Sequence, residues 1–246
     1  MNIGLWILVG VVVLLFTVGC SSFERKLLYY PTHHSIDNGL EGWTDEGVTI
    51  GYARKVESPQ NVWLLLHGNA GQAADRVYAL PRFSPEDSVY ILEYPGYGGR
   101  EGKPSKKSFS QAAQEAYELL RETYPNIPVC VAGESIGSGP ASFLGSLSKP
   151  PDRIVLLVPF DSLAEVAKRS FPKFVVSIAL SAKWDNVESL SQYDGPVDIY
   201  GAKYDTIIPV AHAKALAEEI EQSRFIELEC GHNEWSEQEA VRIRNE

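Results

Sequence analysis

The sequence predicts one α/β domain, a mostly parallel, doubly wound sheet of about eight strands with helices on both faces. Three observations carry this. Short apolar runs alternate with amphipathic stretches from about residue 46 to the end of the chain. The clearest run, Val62-Trp63-Leu64-Leu65-Leu66, is continuously apolar, as a strand covered on both faces must be. The length, 246 residues, suffices for a single well-buried core. No internal repeat or low-complexity tract suggests another architecture.

The elements follow in order. Residues 20–45, mixed and aromatic, read as a connection onto a domain spanning 46–246. Val48 to Val56 reads as a strand, or as a hairpin turning near Gly51. After the strand 62–66 and its His67-Gly68 end comes a helix over Ala73 to Leu80, stopped by Pro81. Ser88 to Tyr94 is the next strand. The stretch "PGYGGREGKPS" is dense in Gly and Pro and reads as a turn-rich surface connection. A helix follows from Ser108 to Thr123, with Ser108 and Gln111 spaced for a capping box. Val129 to Ala132 and Ile154 to Val158 are strands, separated by a helix over Ile136 to Leu147. Residues 161–195 carry no strand signal and read as a small helical insertion divided by Pro172. The alternation then resumes, with strand Val197 to Tyr200, helix Val210 to Gln222, strand Phe225 to Leu228 and a last helix over Glu234 to Arg244.

The start of the chain differs in kind. Ile3 to Gly19 contains no charged residue, a length at the lower edge of the ~20 residues that span a bilayer. Thr17-Val18-Gly19-Cys20 resembles a bacterial lipobox, in which the cysteine is acylated and becomes the mature N-terminus. On that reading residues 1–19 are a lipoprotein signal peptide and Cys20 holds the protein in the bacterial cell envelope. The alternative is an uncleaved anchor helix; Arg25 and Lys26 would then keep the domain in the cytoplasm. With Cys20 lipidated, two of the three cysteines remain, Cys130 and Cys230, too few for a disulfide framework. The formal net charge of -10 argues against a nucleic-acid partner, which needs clustered Lys and Arg. A monomer is expected.

In open α/β sheets, ligands bind beyond the carboxyl ends of the strands. That rule selects four loops, each with a residue suited to acyl transfer. The loop after Ala132 is "GESIG", with Ser135. The loop after Tyr200 is "GAKYDTIIP", with Asp205. The loop after Leu228 is "ECGHNE", with His232, and the one after Leu66 is "HGNAG", with Asn69 and Ala70. A serine hydroxyl needs a base to become a nucleophile near neutral pH, and histidine titrates in the right range. The imidazole needs a carboxylate on its other nitrogen. A developing oxyanion needs preorganised N–H donors.

Taken together these loops resemble the α/β-hydrolase superfamily, the branch with "HGN" after the third strand and no large lid. Gly133-Glu134-Ser135-Ile136-Gly137 matches its G-x-S-x-G nucleophile elbow, and the order Ser135, Asp205, His232 matches the order of its triad. The resemblance implies Ser135 as nucleophile, Asp205 as acid and His232 as base. It implies Ile136 N–H as one oxyanion donor and Asn69 N–H as the other, with Ala70 as the competitor. It implies a serine hydrolase acting on a small acyl substrate, an ester first and a thioester or amide as alternatives, with no cofactor or metal. "YPGYGGREGKPS" resembles the polar loop after strand four in this family.

Rival assignments remain open at this stage. Asp161, on the loop after the preceding strand, competes with Asp205 as the acid. The other histidines fit the base poorly: His67 belongs to the HGN turn, His212 lies within a helix, and His33 and His34 lie in the N-terminal connection. Glu134 either lines the pocket or faces solvent, and Glu234 reads as a solvated helix-start carboxylate. Phe171, Phe174, Val175, Val176, Leu180 and Trp184 either pack helices onto the core or form a small apolar cap over an acyl pocket. A dinucleotide site is excluded, because Gly137-Ser138-Gly139 lacks a third glycine at 142 and follows a late strand. A phosphate loop is excluded because no Gly-Lys-Ser or Gly-Lys-Thr occurs. A non-catalytic envelope protein on a hydrolase scaffold is the alternative of another class.

Overall fold

The computed structural model describes residues 28–168 and 183–245. The expected signal or anchor segment 1–19, Cys20, and the insertion residues Phe171, Phe174, Val175, Val176 and Leu180 lie outside them. Among the described residues no helix is long and apolar enough to cross a membrane.

Strands β1 (Glu41–Asp45) and β2 (Val48–Arg54) form a hairpin turning at Glu46 and Gly47, both at positive φ. β3 (Val62–Leu66) leads into a 3-10 helix, Ala73–Arg82, and then β4 (Ser88–Leu92). Helix α1 (Lys106–Thr123) precedes β5 (Val129–Glu134), a 3-10 turn at Ser135–Gly137 and helix α2 (Ser138–Gly145). β6 (Ile154–Leu157) is followed by α3 (Leu163–Lys168) and α4 (Asn186–Leu190). β7 (Val197–Ala202), α5 (Val210–Glu219), β8 (Ser223–Leu228) and a 3-10 turn at Trp235–Glu237 complete the order.

The eight strands of the described residues form one sheet, ordered β1-β2-β4-β3-β5-β6-β7-β8. β2 runs antiparallel to β1 and β4; from β4 to β8 every pairing is parallel. β3 and β5 are central, so their carboxyl ends meet in the middle of one sheet edge. The period of two along a strand divides β3 between two cores. Val62, Leu64 and Leu66 pack with α1, α2 and α5 on one face. Trp63 and Leu65 pack with the 3-10 helix and the C-terminal segment on the other. Each fully buried leucine contributes about 1.5–3 kcal/mol, which is why a run apolar on both faces is stable only in the middle of such a sheet. Cys130 and Cys230 are free and buried, and burial pushes the Cys130 thiol far up, keeping it unreactive.

Five local expectations change. The hairpin turns at Glu46-Gly47 rather than Gly51, so the sheet begins at Glu41, inside the stretch read as a connection. Gly51 instead lies flat against β4: a Cβ there would sit 2.1 Å from the Ile91 carbonyl oxygen. The helix expected to stop before Pro81 is a 3-10 helix running through it to Arg82. Helix α1 is capped by Ser105, whose hydroxyl accepts the Ser108 N–H at 3.0 Å, not by a Ser108/Gln111 box. The turn-rich connection after β4 buries Tyr94 and Tyr97 completely, with Tyr94 stacked on Phe109 at 3.8 Å. The last expected helix is only the turn Trp235–Glu237. Beyond it Val241 and Ile243 both point inward, the spacing of extended chain, and Ile243 N–H bonds the Arg82 carbonyl.

Candidate active site

The turn after β5 is sharp because the sequence permits it at two points. A Cβ on Gly133 would lie 2.6 Å from the Ala141 side chain and the Gly137 carbonyl; one on Gly137 would lie 2.1 Å from the Leu66 carbonyl. Between them Ser135 takes φ 52°, a left-handed conformation that a non-glycine residue holds only when its surroundings impose it. Ser138, one turn on, donates its hydroxyl to the Ser135 carbonyl at 2.6 Å. The strained turn lifts the Ser135 side chain off the end of β5.

There it meets His232. The Ser135 hydroxyl lies 2.9 Å from His232 Nε2, and His232 Nδ1 lies 2.5 Å from Asp205 Oδ2. A carboxylate only accepts, so Nδ1 carries the proton and Nε2 is left as the acceptor facing the hydroxyl. Asp205 is fixed by its other oxygen, which accepts the N–H groups of Ile207 and Ile208 at 2.8 Å each. The three side chains are nine-tenths buried, so the chain of hydrogen bonds is shielded from water. Such an arrangement can draw a proton from the serine and hold the imidazolium that forms.

Asp161 does not compete for His232. It accepts from His212 Nδ1 at 2.9 Å and from the Ser162 N–H. Asn69 lines the cavity that Ser135 and His232 also line. Its Oδ1 accepts from the Tyr97 hydroxyl at 2.9 Å and from Tyr30 N–H at 3.2 Å. Ile136 is the second residue of its helical turn, so its N–H belongs to the set lacking intrahelical acceptors. His67 is fully buried, with Nδ1 2.7 Å from the Gly68 carbonyl. His33 and His34 are held by the Gly98 carbonyl and by Asp75. Trp184 lies in the core against Gly139 and Phe109 rather than over the pocket.

Ser135 and His232 open into a cavity of about 370 Å³. Its apolar lining comes from Leu28, Phe160, Leu163, Val166, Ile207 and Ile208, and the Gly68–Ala70 loop and Arg76 line it as well. Glu134 is buried rather than solvent-facing. It accepts from Gly68 N–H at 2.9 Å, the Tyr78 hydroxyl at 2.8 Å and Trp235 Nε1–H at 3.1 Å. Burial alone would raise its pKa, but the Arg76 charge and these hydrogen bonds outweigh that and hold the carboxyl below the usual carboxylate range. Glu234 is exposed at the start of the 3-10 turn, as expected, and it also accepts the Gly231 N–H at 2.8 Å, which braces the turn before His232. Arg76, Tyr78 and Trp235 carry no motif, and only their contacts in the structure reveal them.

The sheet order and the helices on its two faces are those of the α/β-hydrolase fold. Solved structures share it at low identity. The Pyrococcus furiosus esterase Pf2001 aligns with TM-score 0.64 and 14% identity over 85% of this chain and 93% of the other. Est1E from Butyrivibrio proteoclasticus bound to ferulic acid aligns with TM-score 0.63 and 13% identity over 76% and 88%. No family model matches the chain. Two relatives match at the sequence level. One is an uncharacterized protein of Mycobacterium tuberculosis, 27% identical over 87% of this chain and 82% of the relative. Another is the lysophosphatidylserine lipase ABHD12 of Danio rerio, 28% identical over 71% of this chain. The match covers 51% of that lipase, so the chain spans about half its length.

Proposed function

We propose that the chain is a serine hydrolase that cleaves acyl esters through an acyl-enzyme. The observation carrying this is the unbroken chain from Ser135 Oγ through His232 to Asp205, at 2.9 and 2.5 Å. Ser135 Oγ attacks the acyl carbonyl carbon while its proton passes to His232 Nε2. Asp205 keeps the tautomer and stabilises the imidazolium. The tetrahedral oxyanion is held by the N–H groups of Ile136 and Asn69. His232 returns the proton to the departing alcohol, leaving the acyl group on Ser135. Water, deprotonated by His232, attacks that ester, and the acid leaves as Ser135 recovers its proton.

The apolar lining supports an acyl chain as the bound part of the substrate. That a relative is a lysophosphatidylserine lipase and a structural neighbour an esterase is in keeping with an ester bond. The apolar run Ile3 to Gly19 and Cys20 support tethering to a membrane through a lipid or an anchor helix. The test is hydrolysis of p-nitrophenyl esters from acetate to dodecanoate, with the Ser135→Ala variant beside the wild-type protein. Hydrolysis by the wild type and its loss in the variant are expected; hydrolysis that survives the substitution refutes the proposal. A preference for peptide over ester substrates would replace esterase with peptidase at the same site.

A further inference from the structure

We infer that Glu134 and Arg76 are positioning residues that set the direction of the Asn69 N–H, and so build one side of the oxyanion hole. The inference rests on the acyl transfer proposed above. It starts from the planarity of the peptide unit: in a trans peptide the C=O of one residue and the N–H of the next point opposite ways. To aim the Asn69 N–H into the cavity, the Gly68 carbonyl must be held away from it. The guanidinium of Arg76 does this. Its Nη2 donates to the Gly68 carbonyl at 3.4 Å and to the Ala70 carbonyl, and His67 Nδ1 lies 2.7 Å from the same Gly68 oxygen.

The preceding peptide unit is held at both ends as well. The Gly68 N–H donates to Glu134 Oε2 at 2.9 Å, and the His67 carbonyl accepts the Tyr94 hydroxyl at 3.1 Å. Glu134 and Arg76 are joined through Tyr78: Arg76 Nη1 donates to the Tyr78 hydroxyl at 3.0 Å, which donates to Glu134 Oε1 at 2.8 Å. The loop is thereby bonded to the residue beside the nucleophile. A further bond, Trp235 Nε1–H to Glu134 at 3.1 Å, ties in the segment that follows His232. One buried carboxylate thus connects three of the four loops of the site.

The chemistry demands a carboxylate at 134. Among the described residues, every hydrogen-bond partner of its two oxygens is a donor. A glutamine would present one NH2 group, and wherever it turned it would face either the Gly68 N–H or the Trp235 N–H with a second donor. A carboxylate this close to a developing oxyanion would itself oppose catalysis, and the Arg76 charge offsets it. Neither side chain bonds to the nucleophile or the base, so both act through the backbone of residues 68–70.

The experiment compares wild type, Glu134→Gln and Tyr78→Phe for p-nitrophenyl butyrate hydrolysis, inhibition by an acyl trifluoromethyl ketone whose hemiketal oxyanion mimics the tetrahedral intermediate, and thermal melting. A misplaced oxyanion donor costs about 10²–10³ in kcat when lost outright. For Glu134→Gln we expect a 10- to 100-fold fall in kcat, KM within about three-fold, and a ketone Ki raised in proportion to the loss of kcat/KM. A folded Glu134→Gln protein with kcat and ketone Ki within two-fold of wild type overturns the inference, as does a raised KM with kcat intact. Should Glu134→Gln fail to fold, Tyr78→Phe decides. It keeps both charges and removes the link between them, and a parallel change of about 3- to 10-fold in kcat and Ki supports the inference, while none overturns it. A wild-type protein that neither hydrolyses the ester nor binds the ketone removes the reaction itself, an outcome distinct from an active wild type with an indifferent variant.

Discussion

Among the described residues are two buried histidine–aspartate pairs of nearly the same make, and only one of them faces a serine hydroxyl. His232 and Asp205 meet through Nδ1 at 2.5 Å; His212 and Asp161 meet through Nδ1 at 2.9 Å. Both histidines are about nine-tenths buried. The difference lies at the other nitrogen. His232 Nε2 faces the Ser135 hydroxyl at 2.9 Å; His212 Nε2 is buried with no hydrogen-bond partner among the described residues. A histidine oriented by a carboxylate is therefore not yet a catalytic base. What completes the site is the elbow, where Gly133, Gly137 and a left-handed Ser135 deliver a hydroxyl to the right nitrogen. The His212–Asp161 pair instead ties the loop after β6 to α5.

The sharpest way to break this comparison is to exchange the two histidines' fates. His232→Ala is expected to lower kcat/KM on short-chain p-nitrophenyl esters by about 10⁴-fold or more, while His212→Ala stays within about three-fold; equal losses would erase the distinction. The aspartates follow with a smaller gap. Asp205→Asn leaves the imidazole in the wrong tautomer and should cost about 10²–10⁴ in kcat. Asp161→Asn should spare kcat and lower the melting temperature by several degrees, since it disturbs the hydrogen bond of a buried group worth about 1–3 kcal/mol. Gly137→Ala tests the elbow: with the Leu66 carbonyl 2.1 Å from the new Cβ, the turn must shift, costing about 1–3 kcal/mol of stability and most of the activity. Unchanged melting and kcat there would show that the elbow tolerates bulk.

The smallest effect is in acid. The Glu134 carboxyl is held below its ordinary value, near 4.3 in an unfolded chain. The unfolded state then binds more protons in the window below about pH 4.3, so the stability this group supplies is present above that value and lost as pH falls through its folded pKa. Glu134→Gln should flatten that part of the acid limb in urea denaturation measured from about pH 5 to 3. An unchanged acid limb would mean that Glu134 is not held as an anion.

Much of the site was legible because its chemistry restricts residue types and the sheet restricts place. "GESIG", "GAKYDTIIP" and "ECGHNE" each follow a strand, and the structure brings Ser135, Asp205 and His232 into contact. The choice of Asp205 over Asp161 rested on the resemblance alone, because both follow strands and only the fold reveals that His212 stands beside the second. Tyr78 and Trp235 were invisible for a related reason: their partner Glu134 lies 56 and 101 residues away; Arg76 bonds the nearby Gly68 and Ala70 carbonyls, but no local pattern marks it for that. The C-terminal stretch was misread because its charged residues suit a helix, whereas Val241 and Ile243 are spaced as extended chain to fill the second core. The hairpin at Glu46-Gly47 was missed because β1 exposes four of its five residues and lacks an apolar run.

One measurement bears most directly on the central claim. Wild type, His232→Ala and His212→Ala are treated with a fluorophosphonate, and the adduct is located by mass spectrometry of peptides. The triad predicts phosphonylation of Ser135 in the wild type, retained in His212→Ala and nearly abolished in His232→Ala. An adduct on another residue, or labelling of Ser135 that survives His232→Ala undiminished, would contradict it.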